Sequence, residues 1–231
     1  MLSSRTRSEC GQLRTITPLS NLMLFCQMNR ARIKRLFSDI GNMNKQIVLK
    51  DDTGEFTVSI FQPPGASRTV LFAVGGGGNP CRHMPLLNML AEQGCTVIAP
   101  HFERMTSRLV SATELAMRIR RLRLALDFAA RAEQAIYAVG HSIGSAILIG
   151  LAGGQMWMHD GKKLDFEADK RIERMVVFTP AMDFFTVPGA LDEVRTPIQA
   201  WAAGSKTRLQ MNADAADRCR TFLPLLRCIE S

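Results

Sequence analysis

The chain has 231 residues, 46% of them hydrophobic and 22% charged, with a formal net charge of +8. That length suits one α/β domain, the apolar content is enough for a full core, and the charged fraction excludes a chain too polar to fold. No apolar run reaches the ~18 residues a membrane span needs. The charge is uneven: residues 1–43 carry a net +5 and the other 188 residues only +3. With no reading helix, zinc finger or RNA-binding sheet motif, that pattern does not imply a nucleic-acid partner. The six cysteines contain no C-x-x-C pair and no His/Cys cluster, which argues against a zinc site or a disulfide framework and for a reducing cytoplasm.

Residues 1–42 are expected to stand apart from a domain over residues 43–231. They are rich in Arg, Ser and Thr and poor in acids. Three readings fit: a targeting segment, a basic disordered tail, or a start codon placed too early. Met43, immediately before the first domain-like strand, favours the last.

Residues 45–50 and 55–61 read as two short strands around the turn-rich Asp51-Asp52-Thr53-Gly54, which predicts a β-hairpin. Residues 68–74 form the next strand. Directly after it stand Gly75-Gly76-Gly77-Gly78-Asn79-Pro80. The dinucleotide spacing G-x-G-x-x-G runs through Gly75 and Gly77 and fails at Pro80. The segment reads instead as a loop whose backbone approaches a ligand closely. Residues 82–93 are helical in pattern, with Leu86, Leu87 and Leu90 on the apolar side and Gly94 as the stop. Residues 95–99 form a strand. Ser111 and Glu114 make a capping box that opens a long helix to about residue 131, with Leu115, Ile119, Leu122 and Leu126 as its apolar stripe. Arg118, Arg121 and Arg123 are expected on its solvated sides.

The organising stretch is AIYAVGHSIGSAILIGL, residues 135–151. A short apolar strand passes through Gly140-His141-Ser142-Ile143-Gly144 into an aliphatic helix. A serine at so tight a turn is lifted clear of the sheet, and residues two before and two after it must be nearly bare because strand and helix backbones are forced together. The first helical N–H groups then face a space where an oxyanion can form. Beyond it, residues 155–172 are a polar insertion or lid. Residues 175–178 are a strand, Phe184, Phe185, Val187 and Pro188 fit either an apolar wall or plain core, and residues 196–201 are the last clear strand. The alternation predicts an α/β fold: a mainly parallel sheet with helices on both faces and an N-terminal hairpin.

On these residues the chain, from about Asn44 to Lys206, resembles the α/β-hydrolase superfamily, in particular its dienelactone-hydrolase-like and esterase-like bacterial members. The resemblance implies acyl transfer to water on an ester, thioester or lactone, with a small acyl-bearing molecule as substrate and no metal or organic cofactor. It assigns the nucleophile to Ser142 and the oxyanion-hole N–H groups to Gly76, with Gly77 as the neighbouring choice, and to Ile143. In hydrolases of this fold the acid and then the histidine follow the serine in the chain. The usual acid position is occupied by Ser205-Lys206-Thr207-Arg208, and no histidine follows His159. Asp183, just past the preceding strand, is the candidate acid. His141 is expected packed under the turn, and His83 and His101 lie at strand ends on the ligand-binding edge. Two readings follow: a hydrolase whose C-terminal end is lost or altered, for example by a frameshift after Lys206, or a hydrolase-like protein that binds rather than cuts.

Overall fold

The computed structural model describes residues 44–107, 109–131 and 133–201, together with the backbone of Leu209 and Gln210. The expectations for residues 1–42, for residues 205–208 and for the C-terminal stretch lie outside the described residues. The strands are β1 (Asn44–Asp51), β2 (Gly54–Phe61), β3 (Arg68–Ala73), β4 (Cys95–Pro100), β5 (Ala135–His141), β6 (Ile172–Phe178), β7 (Ile198–Trp201) and β8 (Leu209–Gln210). The helices are α1 (Met84–Glu92), α2 (Ala112–Ala129) and α3 (Ile143–Leu151).

One sheet runs in the order β1-β2-β4-β3-β5-β6-β7-β8. Strands β4, β3, β5, β6 and β7 are parallel, while the hairpin at one edge and β8 at the other run antiparallel. From β3 the chain first steps outward to β4 and then crosses back to β5. Strand order therefore reverses between the carboxyl ends of β3 and β5, where open α/β sheets form their crevice. These two strands pair in register from Arg68↔Ala135 to Ala73↔Gly140. The glycine segment leaves the end of β3 and the serine turn leaves the end of β5, side by side.

Alternating side chains of the central strands feed two cores. Leu71, Ala73 and Ala138 join Leu115, Ile119, Leu122 and Leu126 of α2 and Ile147 and Leu148 of α3 on one face. Val70, Phe72, Val74 and Val139 join Leu87 and Leu90 of α1 on the other. Helices thus cover both faces, as the sequence implies. Phe184 and Phe185 are buried in the first core, whereas Val187 and Pro188 are exposed. The expected insertion, residues 155–172, starts against the segment after β6: Gln155 N–H donates to the Ala190 carbonyl at 2.7 Å and Trp157 N–H to the Phe184 carbonyl at 2.9 Å. Met156 and Phe166 press on Gly150 near the far end of α3, and Asp169 N–H donates to the Leu151 carbonyl at 2.7 Å.

The hairpin is locked to α2. The Asp51 carboxylate, 1% exposed, accepts from Arg121 Nε at 2.9 Å and pairs with Arg120 at 3.4 Å. Arg121 also lies over the Phe56 ring, 4.8 Å from its centroid. The hydrogen bond from Arg121, helped by those from Thr53, holds the Asp51 carboxyl well below the usual carboxylate range despite its burial.

The three arginines expected on a solvated face are not equivalent. Arg123 does reach outward, to Glu167 at 3.6 Å. Arg121 is spent on Asp51. Arg118 is among the most deeply buried side chains of the described residues, 1% exposed. The reason is geometric: Leu115, Arg118, Ile119 and Leu122 follow the i, i+3, i+4, i+7 spacing of a single helix face.

Candidate active site

The turn at Ser142 is built by what its glycines leave out. A Cβ at Gly140 would lie 2.7 Å from Ser145 Cα, and one at Gly144 would lie 2.2 Å from the Ala73 carbonyl oxygen. Both separations are impossible for real atoms, so the helix can start this close to β5 and β3 only because the side chains are absent. The approach forces Ser142 to φ 54°, ψ −123°. A non-glycine residue there carries strain of about 1–3 kcal/mol, of the kind found where structure serves chemistry. Four backbone bonds hold it. Ser142 N–H donates to the Phe178 carbonyl at 2.9 Å, and the Ser142 carbonyl accepts from Ser145 N–H at 3.0 Å, Ala146 N–H at 3.3 Å and Ala181 N–H at 3.4 Å.

The Ser142 side chain is not a helix cap, since it makes no capping hydrogen bond. The residue is partly exposed, at the carboxyl end of the sheet. A Cβ at Gly75 would fall 3.2 Å from Ser142 Cβ, so the glycine segment runs directly against the serine. Among the described residues, neither the Gly76 N–H nor the Ile143 N–H donates to any acceptor. Both are left over at the turn, as first-turn and loop amides are until a ligand meets them.

The glycine segment is itself fastened. Gly78 N–H donates to the Gly75 carbonyl at 3.0 Å, closing a tight turn. Phe102 N–H donates to the Gly78 carbonyl and Met105 N–H to the Gly76 carbonyl, each at 2.8 Å. Gly78 has φ +75°, and a Cβ on it would sit 2.2 Å from the Phe102 carbonyl oxygen, so only glycine fits. Residues 102–105 after β4 and the loop after β3 therefore form one unit.

The remaining candidates are scattered. Asp183 is exposed in the short 3-10 turn Met182–Phe185 that follows β6. His141 packs its Nδ1 against Gly75, beneath the turn, and its ring lies 5.2 Å from that of His83. Burial, with the nearby His141 and Arg82, keeps His83 below its ordinary imidazole value. His101 Nε2 is 2.8 Å from Ser59 Oγ, and burial likewise pushes it down. His159 is exposed in the segment after α3. None of the four imidazoles bonds Ser142, and no described carboxylate bonds an imidazole. Among the described residues no three His, Cys, Asp or Glu side chains converge as a metal site would require.

Two features escape the sequence reading. One is Thr179, at φ 44°, a conformation costly for a β-branched residue. Its N–H donates to the Trp201 carbonyl at 2.6 Å, one residue beyond the Phe178 carbonyl that holds the serine turn. No sequence signal marks it beyond the following proline. The other is Arg118, whose place in the apolar stripe was visible in the spacing.

This arrangement is the α/β-hydrolase fold. No family model matches the sequence, and no curated protein matches it. Solved structures do. A dienelactone hydrolase from Anabaena variabilis ATCC 29413 superposes with a TM-score of 0.51 at 17% identity, over 81% of this chain and 79% of that one. A cold-adapted esterase from an Arctic intertidal metagenomic library matches with a TM-score of 0.50 at 15% identity, over 69% of each chain. An α/β hydrolase from Penicillium sp. sh18 matches with a TM-score of 0.45 at 13% identity, over 59% of this chain and 46% of that one. The chain thus spans about half the length of that last relative. Among the described residues no helix is long and apolar enough to cross a membrane.

Proposed function

We propose that the protein is a serine hydrolase of small acyl compounds, that is esters, thioesters or lactones, with Ser142 as the nucleophile. The observation that carries this reading is the strained Ser142, held at φ 54° against the glycine segment at the sheet's reversal point. Strain at that position is costly and gives a structural protein nothing, whereas it presents a hydroxyl to a bound carbonyl. Attack by Ser142 Oγ would form a bond to the carbonyl carbon and push its electron pair onto oxygen. The Gly76 and Ile143 N–H groups would receive that oxyanion, since neither has another acceptor among the described residues. Collapse expels the alcohol, thiol or ring oxygen, and water then releases the acid.

The hydroxyl proton must go to a base, and none of the described imidazoles bonds Ser142. Asp183 remains the candidate acid by its position after β6, although it is exposed and holds no histidine. Losing triad members typically lowers the rate by about 10⁴–10⁶, so turnover is expected to be impaired. The same observation favours a second reading, a hydrolase-fold protein that binds an acyl compound without cleaving it.

A fluorophosphonate probe separates the two. It phosphonylates an activated serine with loss of fluoride and needs no later hydrolysis. Labelling of the full chain that maps to Ser142 and vanishes in Ser142→Ala supports the hydrolase. A folded protein that stays unlabelled supports the binder.

A further inference from the structure

We propose that Arg118, bridging the Gly75 and Glu103 carbonyls from beneath, is a positioning residue that aims the Gly76 N–H toward the space beside Ser142. The inference deepens the hydrolase reading and rests on it.

Arg118 projects from α2 into the junction between the two loops. Its Nη1 donates to the Gly75 carbonyl at 3.4 Å, and its Nη2 donates to the Glu103 carbonyl at 2.7 Å. Nη2 also meets Glu114 Oε1 at 3.1 Å, and the guanidinium carbon lies 4.8 Å from the Phe102 ring centroid. The group therefore touches both the loop after β3 and the segment after β4.

The effect follows from peptide geometry. The Gly75 carbonyl and the Gly76 N–H belong to one planar trans unit and point in opposite directions. A donor that holds the carbonyl on the α2 side turns the amide away from α2. The next carbonyl, that of Gly76, is fixed by Met105 N–H. Gly76 is thus gripped on both flanks, although four successive glycines would otherwise allow the peptide to turn over. The positive charge adds a second effect. A cation bonded to a carbonyl draws electron density through the peptide and makes its N–H a stronger donor.

Energetics argue that this arginine is not simply filler. Its Nε is buried without a partner among the described residues, and burying an incompletely paired cation is expensive. A methionine would occupy much the same volume without that cost. The desolvated guanidinium is spent on two loop carbonyls that a structural core residue would have no reason to seek.

The test uses the full chain and a fluorophosphonate whose KI and kinact at Ser142 can be measured separately. Wild type and Ser142→Ala come first. A folded wild type that is never labelled ends the hydrolase reading itself, and Arg118 with it. If wild type is labelled, Arg118→Met is expected to lower kinact by about tenfold or more, less than the loss of an oxyanion donor outright. KI should stay within about twofold, because the ground-state probe does not yet need the amide. Arg118→Lys keeps the charge but offers a compact ammonium in place of the rigid planar fork, and should fall between the two. A folded Arg118→Met with wild-type kinact, or a loss confined to KI, overturns the proposal. If Arg118→Met fails to fold, Arg118→Lys decides: kinact lowered by about threefold or more at unchanged KI supports it, and wild-type kinact refutes it.

Discussion

Gly144→Ala and Gly150→Ala place the same methyl group on the same short helix and should have opposite fates. At Gly144 the new Cβ would lie 2.2 Å from the Ala73 carbonyl oxygen, 2.6 Å from Ala73 C and 2.6 Å from the Val74 carbonyl oxygen. All three are backbone atoms of β3 or its immediate continuation, so no rotamer change relieves them. Restoring ordinary contact needs α3 and β3 to part by about 1 Å, which a close-packed interior resists. Overpacking of this kind costs about 1–3 kcal/mol, or more against immovable backbone, and outweighs the gain of up to about 1 kcal/mol from replacing a helical glycine. At Gly150 the methyl meets Phe166 Cζ at 2.8 Å and Met156 Sδ at 2.9 Å. These are side-chain rather than backbone atoms, and methionine, even buried as Met156 is, adapts readily. Urea unfolding followed by circular dichroism should show Gly144→Ala destabilised by about 2–4 kcal/mol and Gly150→Ala within about 1 kcal/mol of wild type. A shift of about 1 Å at the turn should also slow probe labelling at Ser142 by about a hundredfold. Gly144→Ala with wild-type stability would refute the claim that the bare positions set the helix–strand approach.

The strain assigned to Ser142 is separately measurable. Ser142→Gly should abolish labelling yet raise stability by about 1 kcal/mol, because glycine accepts φ 54° without penalty; a destabilised Ser142→Gly would mean the turn is not strained. The Asp51–Arg121 lock should show itself through pH. The folded carboxyl sits well below its ordinary value, so its contribution is complete above about pH 5 and drains away as pH falls below the unfolded value of about 3.9. Asp51→Asn should therefore cost about 2 kcal/mol at pH 7, and the gap from wild type should narrow at pH 3. A gap that widens on acidification would contradict the assignment.

Much of this architecture is legible in the residue string because it is enforced by exclusion. Gly140 and Gly144 record a distance between backbones, and the run from Gly75 to Gly78 records a loop that has to pass under neighbouring carbonyls. The serine half of the expected capping box also reads correctly: Ser111 Oγ accepts from Glu114 N–H at 3.1 Å and starts α2 at Ala112, while Glu114 Oε1 pairs with Arg118. Residues whose role depends on what lies across the fold are harder to see. Arg118 carries a charge, and charge on a helix reads as solvated unless its register with Leu115 and Leu122 is weighed first. Thr179 acquires its unusual backbone from the Trp201 carbonyl, some twenty residues on, and no local propensity announces it. Met105 contributes only its backbone N–H to the Gly76 carbonyl, a contribution independent of its identity.

The seam between β3 and β5 has a consequence for how the two loops meet. Ala73 faces Gly140 across it, so the amide-bearing loop and the hydroxyl-bearing corner are brought together by a junction between distant parts of the chain. A slip by one residue along that junction would displace one relative to the other by about 3.3 Å, more than the length of a hydrogen bond. The two loops therefore keep their relative positions only in the native β3–β5 register.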